Sequence, residues 1–204
     1  PFNEHLLCEV MESEARIRTP EETIRRAVTL FSLASYAHGM LAEKPDRNKE
    51  LDTFNARDKQ YDLRPFLTEK EKAYLADPKP EQSANWPFEW RYEAAHPLFW
   101  ATGIVDELRF PSEISDIQAM GDFLDKQRDM DELLSRIRMR SEAEILDAAD
   151  LTLRYDWACV EARINNQDAP AELNGDIVME RHYAFNWLIG SNNGADWDDI
   201  HPHT

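Results

Sequence analysis

Two stretches near the C-terminus decide the fold: EAEILDAADLTLRYDWACVEARI, residues Glu142–Ile164, and IVMERHYAFNWLI, residues Ile177–Ile189. In both, apolar residues recur at helical spacing, which predicts two amphipathic α-helices that pack against the rest of the chain. Charged residues interrupt the apolar side of each helix. The two helices are therefore expected to bury charge between them.

The buried charges can be placed by helical geometry. At 100° per residue, Asp156 and Arg163 fall about 20° and about 0° from the direction of Ile145, in the middle of the apolar arc. In the second helix, Arg181 projects between inward-facing apolar residues and Glu180 lies at their margin. Because isolated buried charges are costly, these residues are expected to pair, Asp156 with Arg181 and Arg163 with Glu180.

This cluster of four charges has two interpretations. Buried ion pairs also occur in active sites, where they perturb acids and bases, but no nucleophile with a partnered base accompanies these residues. A structural lock between the helices is therefore favoured over a catalytic site. His182 lies toward the polar side of its helix, so we expect it on the surface, and its spacing from Glu180 is only a weak metal signal.

The remaining helices are marked by their first turns. A Ser or Thr followed three residues later by Glu is typical of a capping box, and three such pairs occur: Thr19 with Glu22, Thr68 with Glu71, and Ser141 with Glu144. No stretch alternates convincingly with period two. The sequence predicts an all-α, compact single-domain helical bundle with irregular connections, with an N-terminal extension at residues 1–18 and a single α-helical domain at residues 19–204.

The stretch NWPFEWRYEAAHPLFWATG, residues 85–103, is the most aromatic part of the chain. Its apolar residues surround the predicted helix, which is typical of a central buried element, and Pro97 is expected to kink it. Aromatic side chains could also line a ligand pocket, although core packing is favoured. The candidate pocket-lining residues along the chain are Trp90, Trp100, Trp157 and Trp187.

The net charge of −17 over 204 residues restricts the class of partner. A field of this sign repels phosphates, so neither a nucleic acid nor an anionic membrane surface is expected as a partner. A basic protein partner, a cation or simple solubility are the interpretations left, and oligomeric state is left open. No run of apolar residues approaches the ~18 needed to span a membrane.

The cysteines and the C-terminal tail indicate no cofactor. Cys8 and Cys159 are far apart and outside any ligand spacing, which favours a reducing cytoplasm without disulfides or a thiolate metal site. The tail WDDIHPHT could supply cation ligands, but such residues are common in flexible termini, so no metal site is expected. These weak metal candidates are Asp198, Asp199, His201 and His203.

Five motifs together resemble a bacterial family known as domain of unknown function 4272. They are RTPEETIRRA at residues 18–27, WRYEAAHPLFWATG at 90–103, EILDAADLTLRYDWACVEARIN at 144–165, VMERHYAFNWLI at 178–189 and WDD at 197–199. The resemblance implies a mostly helical single domain and transfers no catalytic residues. Pro97 and the ending HPHT depart from the family pattern.

Two functions are weighed. The first is a non-catalytic cytoplasmic protein whose acidic surface binds a basic protein partner, as an immunity-type protein or inhibitor would. The alternative is an enzyme or small-molecule binder that uses the charged cluster between the helices. A concave opening that reaches those charges would favour the alternative, and a closed, fully paired cluster would favour the interaction protein.

Overall fold

The computed structural model describes residues 5–202, which form α-helices, short 3-10 turns and loops and contain no strand. The predicted all-α class is confirmed. The helices are α1 (Pro20–Met40), α2 (Arg47–Tyr61), α3 (Glu69–Ala76), α4 (Gln82–Glu89), α5 (Arg91–Ala101), α6 (Ile117–Asp125), α7 (Met130–Arg136), α8 (Glu142–Ile164) and α9 (Gly175–Leu188). Short 3-10 turns lie at Arg64–Phe66, Pro170–Glu172 and Trp197–Asp199.

All three predicted capping boxes are formed, at the first turns of α1, α3 and α8. In each, the side chain of the capping residue accepts a hydrogen bond from the backbone N–H of the glutamate three residues later. The glutamate carboxylate accepts the backbone N–H of the capping residue in return. Backbone N–H groups at the start of each helix thus find partners within three residues, which is why the sequence alone predicted where these helices begin.

Helix packing follows a simple order around α1 and α5. Helix α1 packs against α2, α4, α5 and α7, α5 packs against α9, and α9 packs against α8. The main core between them is built from aliphatic and aromatic side chains such as Leu30, Leu98, Phe99 and Phe185. Helix α9 therefore lies between α5 and α8, which buries it on nearly all sides.

In two regions the extent of the helices is not evident from the sequence pattern. The aromatic stretch 85–103 forms two helices that meet at Trp90, and α5 continues through Pro97. The polar region 42–63 holds α2 over Arg47–Tyr61, although only Phe54 and Tyr61 are buried on it. The Tyr61 hydroxyl donates a hydrogen bond to the Leu124 carbonyl oxygen, at 2.6 Å, which links α2 to α6.

The N-terminal segment lies against the C-terminal end of α9 and forms no helix within residues 5–18. The backbone N–H groups of Arg16 and Arg18 donate to the carbonyl oxygens of Ile189 and Leu188, at 3.1 and 2.9 Å. Gly190 permits this approach: its φ is +74°, and a Cβ there would lie 2.8 Å from the Arg16 carbonyl oxygen. The run HLLCEVMESEARI, residues 5–17, has apolar spacing that suggests a short helix, but the structure has turns and loop there.

Candidate functional site

Three consecutive residues of α9, Glu180, Arg181 and His182, are all buried and pair with residues of the two neighbouring helices, α5 and α8. Glu180 accepts a hydrogen bond from Arg91 of α5 at 3.1 Å, and Arg181 donates to Glu93 of α5 at 3.0 Å. His182 Nδ1 lies 2.8 Å from Asp156 Oδ2 on α8. Successive side chains of a helix point about 100° apart, so one tripeptide can meet neighbours on several sides.

The predicted pairs are wrong. Asp156 pairs with His182 instead of Arg181, and Glu180 pairs with Arg91 instead of Arg163. Arg163 is exposed, as is the chain that follows it through residue 168. The helical wheel placed Arg163 on the inner side of α8, but Ala162 is the one buried residue in the last turn of α8, so direction does not imply burial there.

The expectation of a surface histidine at position 182 is also wrong. His182 is fully buried because α9 has neighbours on both sides, and its Nε2 atom lies 3.9 Å from a carboxylate oxygen of Glu9 in the N-terminal segment. Asn186, one turn further along α9, donates to the other Glu9 oxygen at 3.1 Å. The N-terminal segment therefore closes the side of the molecule on which Asp156 and His182 meet.

The Glu93–Arg181 pair extends to the loop between α5 and α6. Both carboxylate oxygens of Glu93 are used: Oε1 accepts the backbone N–H of Ser115 at 2.6 Å, and Oε2 accepts the Ser115 hydroxyl at 2.9 Å and the Arg181 guanidinium. Arg181 Nη1 donates to the backbone carbonyl of Arg109 at 2.7 Å. Burial lowers the pKa of Arg181, and the adjacent Glu93 carboxylate opposes that shift.

The α5–α6 loop, residues 102–116, contains no helix or strand, yet its backbone is held at several points from within the protein. Besides the contacts at Arg109 and Ser115, Arg140 donates to the Asp106 carbonyl at 2.6 Å, and the Asn174 N–H donates to the Pro111 carbonyl at 2.9 Å. Structureless loops of more than about 12–15 residues are uncommon in compact domains and are usually functional or disordered. Fixation by buried side chains distinguishes this loop from a disordered connection.

The loop presents apolar side chains among carboxylates. Phe110 and Ile114 are 43% and 64% exposed. The exposed acidic residues of the loop are Asp106, Glu107, Glu113 and Asp116, with Arg109 as the exposed basic residue among them. Neighbouring exposed apolar side chains with a polar rim are a feature of binding surfaces, whereas singly exposed apolar residues are common.

A cavity of about 700 Å³ lies beside this loop. His96 of α5 and Arg181 of α9 line it from the buried side, together with Ser115 and Met120. Burial, reinforced by the positive charges of Arg181 and Arg109, lowers the pKa of His96 to about 3, so its imidazole is neutral near neutral pH. We call this space the loop cavity.

A second opening, the α8–α9 cleft, has a volume of about 650 Å³ and reaches the other buried charges. Asp156 and Glu180 both line it, with the exposed Arg163 and the partly buried Cys159. Burial raises the pKa of Glu180, and Arg91 opposes the shift. Three of the four predicted cluster residues therefore line one cleft, while Arg181 lines the loop cavity instead.

The four candidate tryptophans do not gather around one pocket. Trp90, Trp100 and Trp187 line three different cavities. Trp100 and Trp187 are buried in the main core, and Trp157 packs beside a small cluster formed by Ala158, Leu173 and Val178. Trp90 and Trp157 are half-buried, so only Trp100 and Trp187 are core residues, and each of these two also lines a cavity.

The C-terminal tail docks through Trp197. Trp197 is buried, with its ring 5.7 Å from that of Trp187, and its carbonyl oxygen accepts a hydrogen bond from the Tyr183 hydroxyl. Asp198 contacts Lys70, Asp199 and His201 are exposed, and His203 lies outside the described residues. Within residues 5–202, no group of three or more His, Cys, Asp or Glu side chains is arranged to hold a metal ion.

Sequence reasoning missed the residues that complete these contacts. Arg91 and Glu93 belong to the motif WRYEAAHP. Because apolar residues surround this helix, the pattern did not show which way the two charged side chains point. Ser115 directly precedes α6, but Asp116 caps this helix and Ser115 binds Glu93. The sequence did offer one signal of a polar site: Arg91, Glu93 and His96 lie close together in a helix whose other residues are mostly apolar.

Fold and contacts together define an all-α domain whose buried charges hold a long acidic loop in place. The chain belongs to the family described as Domain of unknown function (DUF4272), which it matches over residues 1–200. No curated protein and no solved structure matches it. None of the helices in residues 5–202 combines the length and apolarity that crossing a membrane requires.

Proposed function

We propose that this protein is a non-catalytic interaction domain that binds a basic protein partner through the α5–α6 loop. One observation carries the proposal: a loop without secondary structure displays Phe110 and Ile114 among four carboxylates while buried Glu93 and Arg181 fix its backbone. A fixed loop loses little conformational entropy on binding, so more of the interaction energy is available for affinity.

Charge supports a basic partner. The chain carries a net charge of −17, and several of its arginines are used internally: Arg26 and Arg181 are buried in ion pairs, and Arg18 and Arg140 donate to backbone carbonyls. The surface field is therefore negative, which accelerates association with a basic protein and weakens with salt. An immunity-type or inhibitor protein acts in this way.

A cytoplasmic location in a bacterium fits this proposal. Cys8 and Cys159 are free thiols, and Cys8 is exposed, which suits a reducing compartment. A basic toxin or enzyme that must be neutralised inside the cell is the kind of partner that this surface would recognise.

The test compares two isoleucines of nearly equal exposure. Ile114 in the loop is 64% exposed and Ile164 at the end of α8 is 68% exposed. Basic proteins captured at low salt by the wild type should be retained by Ile164→Ser and lost by Ile114→Ser, with affinity falling as salt is raised. Equal capture by the two variants, or binding that salt does not weaken, would contradict the proposal.

The α8–α9 cleft supports a second candidate function, a small-molecule binder or enzyme. The specific observation is that two buried carboxylates, Asp156 and Glu180, line the same cleft and have different partners, His182 and Arg91. Pairs of carboxylates in different environments are typical of acid–base chemistry.

This second candidate is tested by fragment screening with ligand-observed NMR. Ligands of the cleft should be lost in Asp156→Asn and retained in Asp147→Asn, which alters an exposed carboxylate of the same helix. If Asp156→Asn keeps its fold and binds every fragment that the wild type binds, Asp156 is a structural residue alone.

A further inference from the structure

The imidazole of His96, on α5, is buried. The residue is 5% exposed, and within the described residues neither Nδ1 nor Nε2 has a partner. A buried polar group without a partner destabilises the folded state, so native proteins rarely retain one without a reason. A leucine in this helix would fill space at no such cost.

The position of His96 supplies the reason. It lines the loop cavity, whose volume of about 700 Å³ falls within the range of small-molecule sites, roughly 300–1,000 Å³. The inner wall is formed by the buried residues His96, Ser115, Met120 and Arg181. A polar group of a ligand in this cavity would satisfy the imidazole.

Arg181 offers a further hydrogen-bond donor on the same wall. A guanidinium carries five N–H donors. Four of them are used within the described residues, by Glu93 twice, by Ser115 and by the carbonyl of Arg109, which leaves one on Nη1. Arginine N–H groups and the N–H of a neutral imidazole both suit a carboxylate.

The rim of the cavity has the opposite charge. Four exposed carboxylates line it, against the single exposed guanidinium of Arg109: Asp106, Glu107, Glu113 and Asp116. The inner wall therefore favours an acidic group and the rim favours a basic one. A molecule with both charges matches the cavity better than a simple anion or a simple cation.

We propose that the loop cavity binds a basic amino acid, with its carboxylate at Arg181 and His96 and its cationic side chain among the rim carboxylates. The chemistry requires an acidic and a basic group on one small molecule. This inference does not depend on a protein partner for the loop.

The experiment follows the His96 ring in protein labelled with ¹⁵N-histidine. L-arginine and L-lysine are the probes, and agmatine and cadaverine are their counterparts without the carboxylate. We expect the amino acids to shift the His96 ring resonances and to bind about tenfold or more tightly than the amines, since a charged hydrogen bond contributes about 1.5–3 kcal/mol. No shift with either amino acid, or equal binding of the amines, would overturn the proposal.

Substitution of His96 provides the second arm. His96→Leu should abolish binding while leaving the ligand-free protein at least as stable as the wild type, because it removes two unsatisfied polar atoms. His38→Leu changes an exposed histidine paired with Glu89 and should bind as the wild type does. Retained binding in His96→Leu, or a loss of stability in the ligand-free variant, would show that the imidazole is structural.

Discussion

Helix α9 buries Arg181 toward α5 and His182 toward α8, and these two neighbouring residues serve different regions of the molecule. On the α5 side, Arg181 and Glu93 bind the backbone of the α5–α6 loop, which remains exposed. On the α8 side, His182 meets Asp156 beneath the N-terminal segment, which contributes Glu9. The first region uses buried charge to present a surface, and the second uses it to join three segments of the chain.

This difference indicates that the role of a buried ion pair depends on which other groups of the protein the pair binds. Replacing both members of such a pair by apolar residues is often neutral for stability, so stability alone does not explain why charges are kept. Backbone groups of an exposed loop, however, require polar partners when they are turned inward. Glu93 and Arg181 supply those partners, and an apolar pair would not.

The largest effect is expected for Arg181→Met. This change leaves Glu93 buried and unpaired, so the free energy of unfolding should fall by about 3–5 kcal/mol. Denaturant unfolding measures the loss, and hydrogen exchange should accelerate at residues 102–116. Arg163→Met is the control, since Arg163 is exposed, and it should change stability by less than about 0.5 kcal/mol. A loss below about 1 kcal/mol in Arg181→Met would contradict the assigned role.

A smaller loss is expected for Asp156→Asn on the other side of α9. The amide keeps the shape of the side chain but weakens the hydrogen bond with His182, which should cost about 1–3 kcal/mol. Hydrogen exchange should accelerate in α8 and in the N-terminal segment and stay unchanged at residues 102–116. Faster exchange in the loop would mean that the two sides of α9 are not independent.

The pH dependence of the free energy of unfolding tests the protonation state of His96, which lies on the α5 side of the comparison. The pKa of His96 falls from its ordinary value of 6.5 to about 3 in the folded protein, so below pH 6.5 the unfolded chain takes up a proton that the folded chain does not. Stability should therefore fall with decreasing pH by up to about 1.4 kcal/mol per unit from this residue. His96→Leu should lack this component when unfolding is measured at several pH values in both proteins. Identical slopes of stability against pH in the two proteins would show that folded and unfolded chains protonate His96 over the same pH range.

The smallest effect is expected where the N-terminal segment meets α9. Glu9→Ala removes the acceptor of the Asn186 side chain and should cost about 0.5–1.5 kcal/mol. Proteolysis within residues 5–18 should become faster, whereas the α5–α6 loop should be cleaved at the same rate as in the wild type. Glu12→Ala, which changes an exposed glutamate of the same segment, is the control.

Features fixed by neighbouring residues were predictable from the sequence. The capping boxes at Thr19, Thr68 and Ser141 involve groups three residues apart, so local chemistry determines them. The all-α class followed from periodicity in the same way. Helical directions also pointed to charged residues inside the apolar faces, at Asp156 and Arg181.

Partners of the buried charges were not predictable, because they depend on which helices pack together. Arg181 is 88 positions from Glu93, and His182 is 26 positions from Asp156. A helical wheel shows which way a side chain points but not which element it meets there. For this reason Arg163 was wrongly assigned to the interior. The fixed loop at residues 102–116 carried no recognisable motif, since its order arises from side chains elsewhere in the chain.

The run Glu180, Arg181, His182 has a consequence for how this sequence can vary in length. Inserting or deleting one residue in α9 ahead of Glu180 would rotate all three side chains by about 100°, directing each charge at a wrong neighbour. A single substitution in α9 changes the contacts of one side chain, whereas a shift of one residue would break three ionic or hydrogen-bonded contacts together. Length variation should therefore be tolerated in the connections on either side of α9 and not within its first two turns.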